Sequence, residues 1–141
     1  MKVVMAMDRR ESEVRVRVLV AGDHPSVREN LRYLIDSEND LACVGAAKDG
    51  PATVQLCQEL LPDVLVLDED MPGADGLRVL KYLRRELPDI KVVMYTLDGD
   101  VCQAARTLGA VACVMKDARY EVLLRAIREA APAYYVPSEL N

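Results

Sequence analysis

Short apolar runs alternate with segments of helical periodicity along the whole chain, and this alternation limits the fold more than any other feature. Continuous apolar runs that end at Pro, Gly or Asp are typical of strands buried in a parallel sheet. The segments between them place apolar residues at spacings of three and four, as amphipathic helices do. Repeated strand–helix units pack through right-handed crossovers. The sequence therefore predicts an α/β fold, a doubly wound (βα)5 domain with helices on both faces of a five-stranded parallel sheet.

The predicted elements have short connections, and proline or glycine marks several of their ends. The strands are predicted at 14–21, 41–47, 64–67, 91–96 and 111–115. The helices are predicted at 25–37, 53–61, 76–87, 101–108 and 119–131. Pro88 stops the third helix because proline cannot donate a helical hydrogen bond, and Gly109 ends the fourth. The folded domain is thus expected at 14–131, with 1–13 as a flexible tail and 132–141 as the start of a linker.

Size and charge exclude several broad classes of protein. A chain of 141 residues suits a single domain. Its net charge of −5 argues against direct binding of nucleic acid by this chain. No apolar run approaches the roughly 20 residues of a membrane span. The N-terminal apolar patch is also shorter than the roughly 7–15 residues of a secretory signal. The expected location is the cytoplasm, without membrane attachment.

The cysteines show no spacing that is typical of a metal site, and the single histidine, His24, has no partner for one. There are four of them: Cys43, Cys57, Cys102 and Cys113. In a cytoplasmic protein such residues are usually small core side chains that stay reduced. We therefore expect neither a disulfide bond nor a metal ligand among them.

Polar side chains follow four of the predicted strands at or just beyond their carboxyl ends. They are Asp23, Asp68, Thr96 and Lys116. Because these ends meet at one edge of a parallel sheet, we expect the side chains to share a cleft. Two carboxylates suit Mg²⁺, and a lysine with a threonine can contact a phosphoryl group. Each residue alone has an ordinary explanation, such as a turn or a helix cap, but the four together favour a phosphoryl site.

These residues carry a resemblance to a known family. Over 14–131 the chain resembles a response-regulator receiver domain, the CheY-like phosphoacceptor module of two-component signalling. The most specific match is 68–76, with the acceptor aspartate, a proline four residues later and a glycine eight residues later. Asp-His-Pro at 23–25 and Lys-Asp-Ala at 116–118 are typical of the NarL/LuxR-type subfamily. The resemblance implies the flavodoxin-like strand order 2-1-3-4-5.

The resemblance also implies a role for each residue of the site. Asp68 would accept a phosphoryl group from the phosphohistidine of a sensor histidine kinase. Thr96 and Lys116 would contact the phosphoryl oxygens. Mg²⁺ would be held by the carboxylates of Asp23 and Asp68 and by the backbone carbonyl of Asp70. Such a domain is a signalling phosphoacceptor and not an enzyme that turns over a substrate.

The partners that the resemblance implies follow from the subfamily. Its members join a receiver to a DNA-binding helix-turn-helix and regulate transcription. Residues 135–140 resemble the linker that precedes this output domain, so we expect DNA binding to reside in a C-terminal domain that is absent from this chain. A homodimer is expected on phosphorylation.

Two positions depart from the family pattern. Receivers usually carry two adjacent acidic residues after the first strand, whereas this chain has Gly22-Asp23, so weaker metal binding is expected. We hypothesise that Asp70 partly restores the negative field. Cys113 stands where the family usually has a tyrosine or phenylalanine whose rotamer follows phosphorylation. We interpret Cys113 as a buried strand residue and not a redox switch, so the output face should respond less, or through backbone shifts alone.

Two other functions remain open from the sequence. A pseudo-receiver would keep the fold and act through protein contacts without phosphorylation, and Gly22 and Cys113 agree with this. A haloacid-dehalogenase-type phosphatase would use Asp68 as nucleophile and Asp70 as general acid, since the segment resembles its D-x-D motif. That family places the motif early in a longer chain, whereas two complete strand–helix units precede Asp68 here. Flavin binding is disfavoured because the turn after the first strand lacks a phosphate cradle.

Overall fold

The computed structural model describes residues 15–71 and 75–132, which form a parallel sheet of five strands with five helices. The strands are β1 (Val16–Ala21), β2 (Leu41–Ala47), β3 (Val64–Asp68), β4 (Lys91–Thr96) and β5 (Ala112–Met115). The helices are α1 (Pro25–Asp36), α2 (Gly50–Leu60), α3 (Gly76–Glu86), α4 (Gly99–Thr107) and α5 (Tyr120–Ala130). The strand order is β2-β1-β3-β4-β5 with every pair parallel, which confirms the predicted fold. None of the described helices is long and apolar enough to cross a lipid bilayer.

Side chains of the central strands alternate between two cores, because successive residues of a strand point to opposite faces of the sheet. In β3, Val64 and Val66 pack in the core that α1 and α5 cover. Leu65 and Leu67 pack in the opposite core with residues of α2, α3 and α4. Since helices cover both faces, β3 reads as one continuous apolar run that ends on Asp68.

Aspartate side chains cap three helices at the edge where the strands end. Asp49 accepts a hydrogen bond from the backbone at the start of α2, Asp75 at the start of α3 and Asp98 at the start of α4. Each such cap stabilises a helix by about 1 kcal/mol because it satisfies a backbone N–H that has no helical partner. The caps therefore fix where the loops at this edge turn into helices.

Several predicted bounds were wrong, and the caps explain the errors at the starts of two helices. Helix α2 begins at Gly50 and not at 53, and α4 begins at Gly99 and not at 101. Leu61, which the helical pattern placed on the apolar face of α2, lies beyond its end in a left-handed conformation with φ of 47° and is 57% exposed. Strand β1 begins at Val16 instead of 14, and the other ends agree within one residue. The predicted tail at 1–13 lies outside the described residues, as does the linker at 132–141 apart from its first residue.

The structure contradicts the expectation that all four cysteines stay reduced. Cys102 in α4 and Cys113 in β5 form a disulfide bond, with their Cα atoms 5.4 Å apart. The packing of α4 beside β5 brings these two residues together, and no sequence spacing indicates it. Cys113 is also only partly buried, so its interpretation as a buried strand residue was wrong. Cys43 and Cys57 are free, as predicted.

Candidate functional site

Asp68 is the last residue of β3 and lies at the carboxyl edge of the sheet, where it is only 4% exposed. Lys116 Nζ donates a hydrogen bond to Asp68 Oδ2 at 2.7 Å. The backbone N–H of Asp70 donates to Asp68 Oδ1 at 3.0 Å. A cation and a backbone donor therefore satisfy the two oxygens of this buried carboxylate.

Thr96 and Lys116 are brought together by the register of β4 and β5. Thr96, the last residue of β4, pairs with Met115, and the backbone N–H of Lys116 donates to the Thr96 carbonyl at 2.8 Å. Thr96 is 2% exposed, and its Oγ1 accepts a hydrogen bond from the Asp98 backbone N–H at 3.0 Å. The hydroxyl is thus engaged by the loop that leads into α4, while the Lys116 side chain reaches Asp68.

The loop after β1 brings one more carboxylate to this edge. Asp23 Oδ1 is buried and has no hydrogen-bond partner among the described residues, and His24 Nε2 lies 3.5 Å from it. A Cβ built on Gly22 would lie 3.4 Å from both Cβ and Oδ2 of Asp68. The loop therefore runs directly beside the Asp68 side chain, and it carries an oxygen that is available to a ligand.

The oxygen donors at this edge fit Mg²⁺, which binds through one or two carboxylates and keeps several waters. The observation that supports this fit is that the buried Asp23 Oδ1 accepts no hydrogen bond among the described residues, because a buried carboxylate oxygen usually accepts one. No cluster of three or more His, Cys, Asp or Glu side chains that could hold a metal occurs in the part of the chain that the structure describes. The donor set is smaller than in receivers with two acids after β1, because Gly22 contributes no side chain.

Glu69 adds to the negative charge around Asp68. Burial raises the pKa of the Glu69 carboxyl, and the charges of Asp70, Asp68 and Asp98 raise it further, while Lys116 lowers it. This combination shows that the carboxylates crowd one another at this edge. A cation that binds here would relieve that repulsion.

Gly76 shows why a glycine stands eight residues after Asp68. A Cβ at Gly76 would lie 2.8 Å from the Asp68 carbonyl oxygen and closer still to the backbone of Glu69. The Gly76 N–H also donates to the Glu69 carbonyl at 2.8 Å. The start of α3 is therefore packed against the end of β3, and this packing holds the Asp68 backbone in place.

Comparison with known proteins decides the family. The family model described as "Response regulator receiver domain" matches residues 18–128. The chain belongs to this family. The receiver is 37% identical over 120 residues to the uncharacterized transcriptional regulatory protein YxjL of Bacillus subtilis, and the aligned region covers 83% of this chain and 55% of YxjL. It is 34% identical over 125 residues to the nitrate/nitrite response regulator protein NarL of Escherichia coli, and the aligned region covers 86% of this chain and 57% of NarL.

A solved structure shares the receiver fold. The response regulator domain of Thermotoga maritima CheB superposes with a TM-score of 0.77 at 32% identity and covers 82% of this chain and 96% of that chain. The receiver spans about half the length of the curated relatives it matches. These matches confirm the predicted NarL/LuxR-type receiver with a CheY-like fold, the receiver domain of a two-component response regulator.

The structure brings together most of the side chains that the sequence placed at the strand ends. Asp68 contacts Lys116 directly, Thr96 is joined to Lys116 through the backbone, and the Asp23 loop lies beside Asp68. Asp70 is joined to Asp68 through its N–H. Cys102, in the first turn of α4, was expected to stay reduced. Its bond to Cys113 follows from the packing of α4 on β5, which no spacing in the sequence indicates.

Proposed function

We propose that this receiver accepts a phosphoryl group on Asp68 from the phosphohistidine of a sensor histidine kinase. The observation that carries the proposal is the buried Asp68 carboxylate, which Lys116 and the Asp70 N–H orient at the end of β3. Phosphoryl transfer needs positioning and charge neutralisation more than covalent help from the protein. Membership of the receiver family supports the same role.

In the proposed reaction, an oxygen of the Asp68 carboxylate attacks the phosphorus atom and the P–N bond of the phosphohistidine breaks. The electron pair of that bond stays on the imidazole nitrogen, which takes a proton from solvent, and Asp68 becomes an acyl phosphate. Lys116 pairs with Asp68 before transfer and then neutralises the phosphoryl oxygens. Thr96 donates its hydroxyl hydrogen to one of those oxygens after the loop at Asp98 has shifted.

Mg²⁺ would be held by the carboxylates of Asp23 and Asp68 and by the backbone carbonyl of Asp70. When bound, it neutralises charge on the transferring group. The buried Asp23 Oδ1 without a partner supports this assignment. Because Gly22 replaces one of the two usual acids, the affinity for Mg²⁺ should be lower than in receivers that carry both, with Asp70 partly compensating.

The proposed output is regulation of transcription through a C-terminal DNA-binding domain. The relative YxjL is named a transcriptional regulatory protein, and this receiver spans only 55% of its length. Net charge of −5 disfavours DNA binding by the receiver itself. Phosphorylation is proposed to favour a homodimer, and the cytoplasm is the proposed location.

A pseudo-receiver that acts through protein contacts is the second candidate, and Gly22 is the observation that favours it. It shares the fold and differs only in lacking the phosphoryl chemistry. A haloacid-dehalogenase-type phosphatase has less support, because the chain matches the receiver family and Asp70, its required general acid, is exposed.

Intact-mass spectrometry after incubation with Mg²⁺ and a small-molecule phosphodonor tests the proposal. The wild type should gain one phosphoryl group, less of it when a chelator removes Mg²⁺, and Asp68→Asn should gain none. Asp89→Asn, an exposed aspartate before β4, is the matched control and should behave as wild type. No gain by the wild type at any Mg²⁺ concentration or with a kinase would overturn the proposal in favour of the pseudo-receiver. Sustained turnover of the donor would favour the phosphatase.

A further inference from the structure

The disulfide between Cys102 and Cys113 joins two elements that flank the acceptor site. Cys102 lies in the first turn of α4, the helix that begins after the Thr96 loop. Cys113 lies in β5, three residues before Lys116. The Cα separation of 5.4 Å falls within the range found for disulfides, so the folded backbone already holds the two residues at bonding range.

The other two cysteines are poorly suited to oxidation. Burial raises the pKa of the Cys57 thiol to about 12 and also raises the pKa of Cys43. A raised pKa lowers the fraction of thiolate, which is the reactive form of a cysteine. Cys102 and Cys113 are partly exposed and have each other as partners. Oxidation should therefore be directed to this pair.

Hydrogen bonds connect Cys102 to the hydroxyl of Thr96. The Asp98 N–H donates to Thr96 Oγ1 at 3.0 Å, and the Asp98 carbonyl accepts from the Cys102 N–H at 3.3 Å. Thr96 Oγ1 is the acceptor in the first bond and keeps its hydrogen to donate, so a movement of Thr96 toward Asp68 would pull on the Asp98 N–H. The disulfide from Cys102 to β5 restrains the first turn of α4, which is the turn bonded to Asp98.

Helix α4 has little apolar burial to hold it otherwise. Ala105 is its only fully buried residue, whereas α5 buries five. An element with few buried contacts opens or shifts at low free-energy cost. The state of the Cys102–Cys113 pair therefore has a large influence on how freely α4 moves.

We propose that Cys102 and Cys113 form a reversible oxidation site that controls how readily the receiver responds at Asp68, an inference that rests on the proposed phosphoacceptor function. In the reduced form α4 is free to move with the Thr96 loop. In the oxidised form α4 is tied to β5, so Asp98 and the Thr96 hydroxyl bonded to it move less, and phosphoryl uptake slows. The oxidation state of the pair thus gates the phosphoryl signal.

The oxidant is hydrogen peroxide or a related hydroperoxide. One thiolate attacks an oxygen of the peroxide and the O–O bond breaks. The sulfur becomes a sulfenic acid, and the departing oxygen takes a proton from solvent and leaves as water, or as an alcohol when the oxidant is an organic hydroperoxide. The second thiol attacks the sulfenic sulfur, forms the S–S bond and releases another water. A dithiol reductant reverses the change by passing two electrons to the disulfide, and it becomes a disulfide itself.

The test compares wild type, Cys102→Ser and the control Cys43→Ser after treatment with hydrogen peroxide or with a dithiol. Alkylation of free thiols followed by mass spectrometry measures the disulfide independently of phosphorylation. Wild type and Cys43→Ser should form the 102–113 bond, and Cys102→Ser should not. Cys113→Ala serves as a second variant if Cys102→Ser folds poorly.

The rate of phosphoryl gain from a small-molecule donor with Mg²⁺ is the second readout. Oxidation should slow it several-fold in wild type and Cys43→Ser and leave it unchanged in Cys102→Ser. Failure of the bond to form, or equal rates in the oxidised and reduced wild type, would overturn the proposal. If no form gains a phosphoryl group, the proposed acceptor function is wrong. Hydrogen exchange of the Asp98 amide then tests separately whether oxidation restrains α4. Oxidation should slow that exchange, and equal exchange in both states would refute the tether.

Discussion

The β3 side of the site and the β4–α4 side differ in how their functional groups are held. Asp68 sits at the end of a fully buried strand, with both carboxylate oxygens bonded and Gly76 packed against its backbone. The Thr96 hydroxyl is instead bonded to a loop, and the helix after that loop buries only Ala105 fully. We infer from this difference that the core of the fold holds the proposed acceptor, Asp68, in a fixed position. The weakly anchored helix α4 is then the element that moves when Asp68 is phosphorylated.

Replacing Lys116 by alanine should have the largest effect on the β3 side of the site, because it removes the cation bonded to Asp68. We expect the rate of phosphoryl gain to fall about 100-fold or more, as when one charge-stabilising donor is removed from an active site. Intact-mass time courses measure the rate. Lys81→Ala, on the exposed side of α3, is the matched control. A loss of only a few fold would mean that the acceptor side does not depend on this ion pair.

Replacing Cys102 by serine breaks the covalent restraint on the other side. The disulfide closes a short loop, so its loss should lower the free energy of unfolding by about 2–3 kcal/mol under oxidising conditions. With a dithiol present, the wild type and the variant should unfold at nearly the same denaturant concentration. Denaturant titrations under both conditions measure this. An equal loss under both conditions would attribute the effect to packing and not to the bond.

Replacing Gly22 by aspartate should raise the affinity of the site for Mg²⁺. A Cβ at this position meets Asp68 at 3.4 Å, which is ordinary contact, so the first side-chain atom fits without moving the backbone. We expect Mg²⁺ to bind about tenfold more tightly, because a further carboxylate adds charge and an oxygen ligand. Calorimetric titration measures the affinity, with Gly22→Ala as the steric control. If the affinity of Gly22→Asp matches that of the control, the missing acid does not limit binding.

Replacing Glu69 by glutamine should give the smallest effect, a change in pH dependence. Burial and neighbouring carboxylates raise the pKa of Glu69, so the folded state holds its proton to higher pH than the unfolded state does. Stability therefore falls as pH rises above the unfolded value, and Glu69→Gln should stabilise the protein more at about pH 7 than at about pH 4. Thermal unfolding at the two pH values measures this. Added Mg²⁺ should reduce the difference.

The strand and the position of Asp68 at its end could be predicted from the sequence. The apolar run of β3 is continuous because helices cover both faces, and Asp68 interrupts it abruptly. Gly76 could be placed by the family motif, although only the structure shows that a Cβ there would collide with the Asp68 carbonyl. Local pattern and strand-end position were sufficient on this side because β3 is held by the core.

The response side was predicted less well, since it depends on contacts between elements. The pairing of Cys102 with Cys113 arises from the packing of α4 beside β5, and the spacing of the cysteines carries no sign of it. The early start of α4 at Gly99 follows from the Asp98 cap, which the apolar pattern of the helix does not reveal. Leu61 likewise leaves the helix because of a left-handed backbone turn and not because of its own helical preference.

Two-dimensional amide NMR with Mg²⁺ and beryllofluoride, which mimics a phosphoryl group on a carboxylate, tests most directly whether a group on Asp68 is felt through the Thr96 loop. The amides of Asp70 and Asp98 should both shift in the reduced wild type, the Asp98 shift should shrink after oxidation, and Asp68→Asn should show neither shift. A shift at Asp70 with none at Asp98 in the reduced protein would contradict the proposed response, and no shift at either amide would contradict the acceptor site itself.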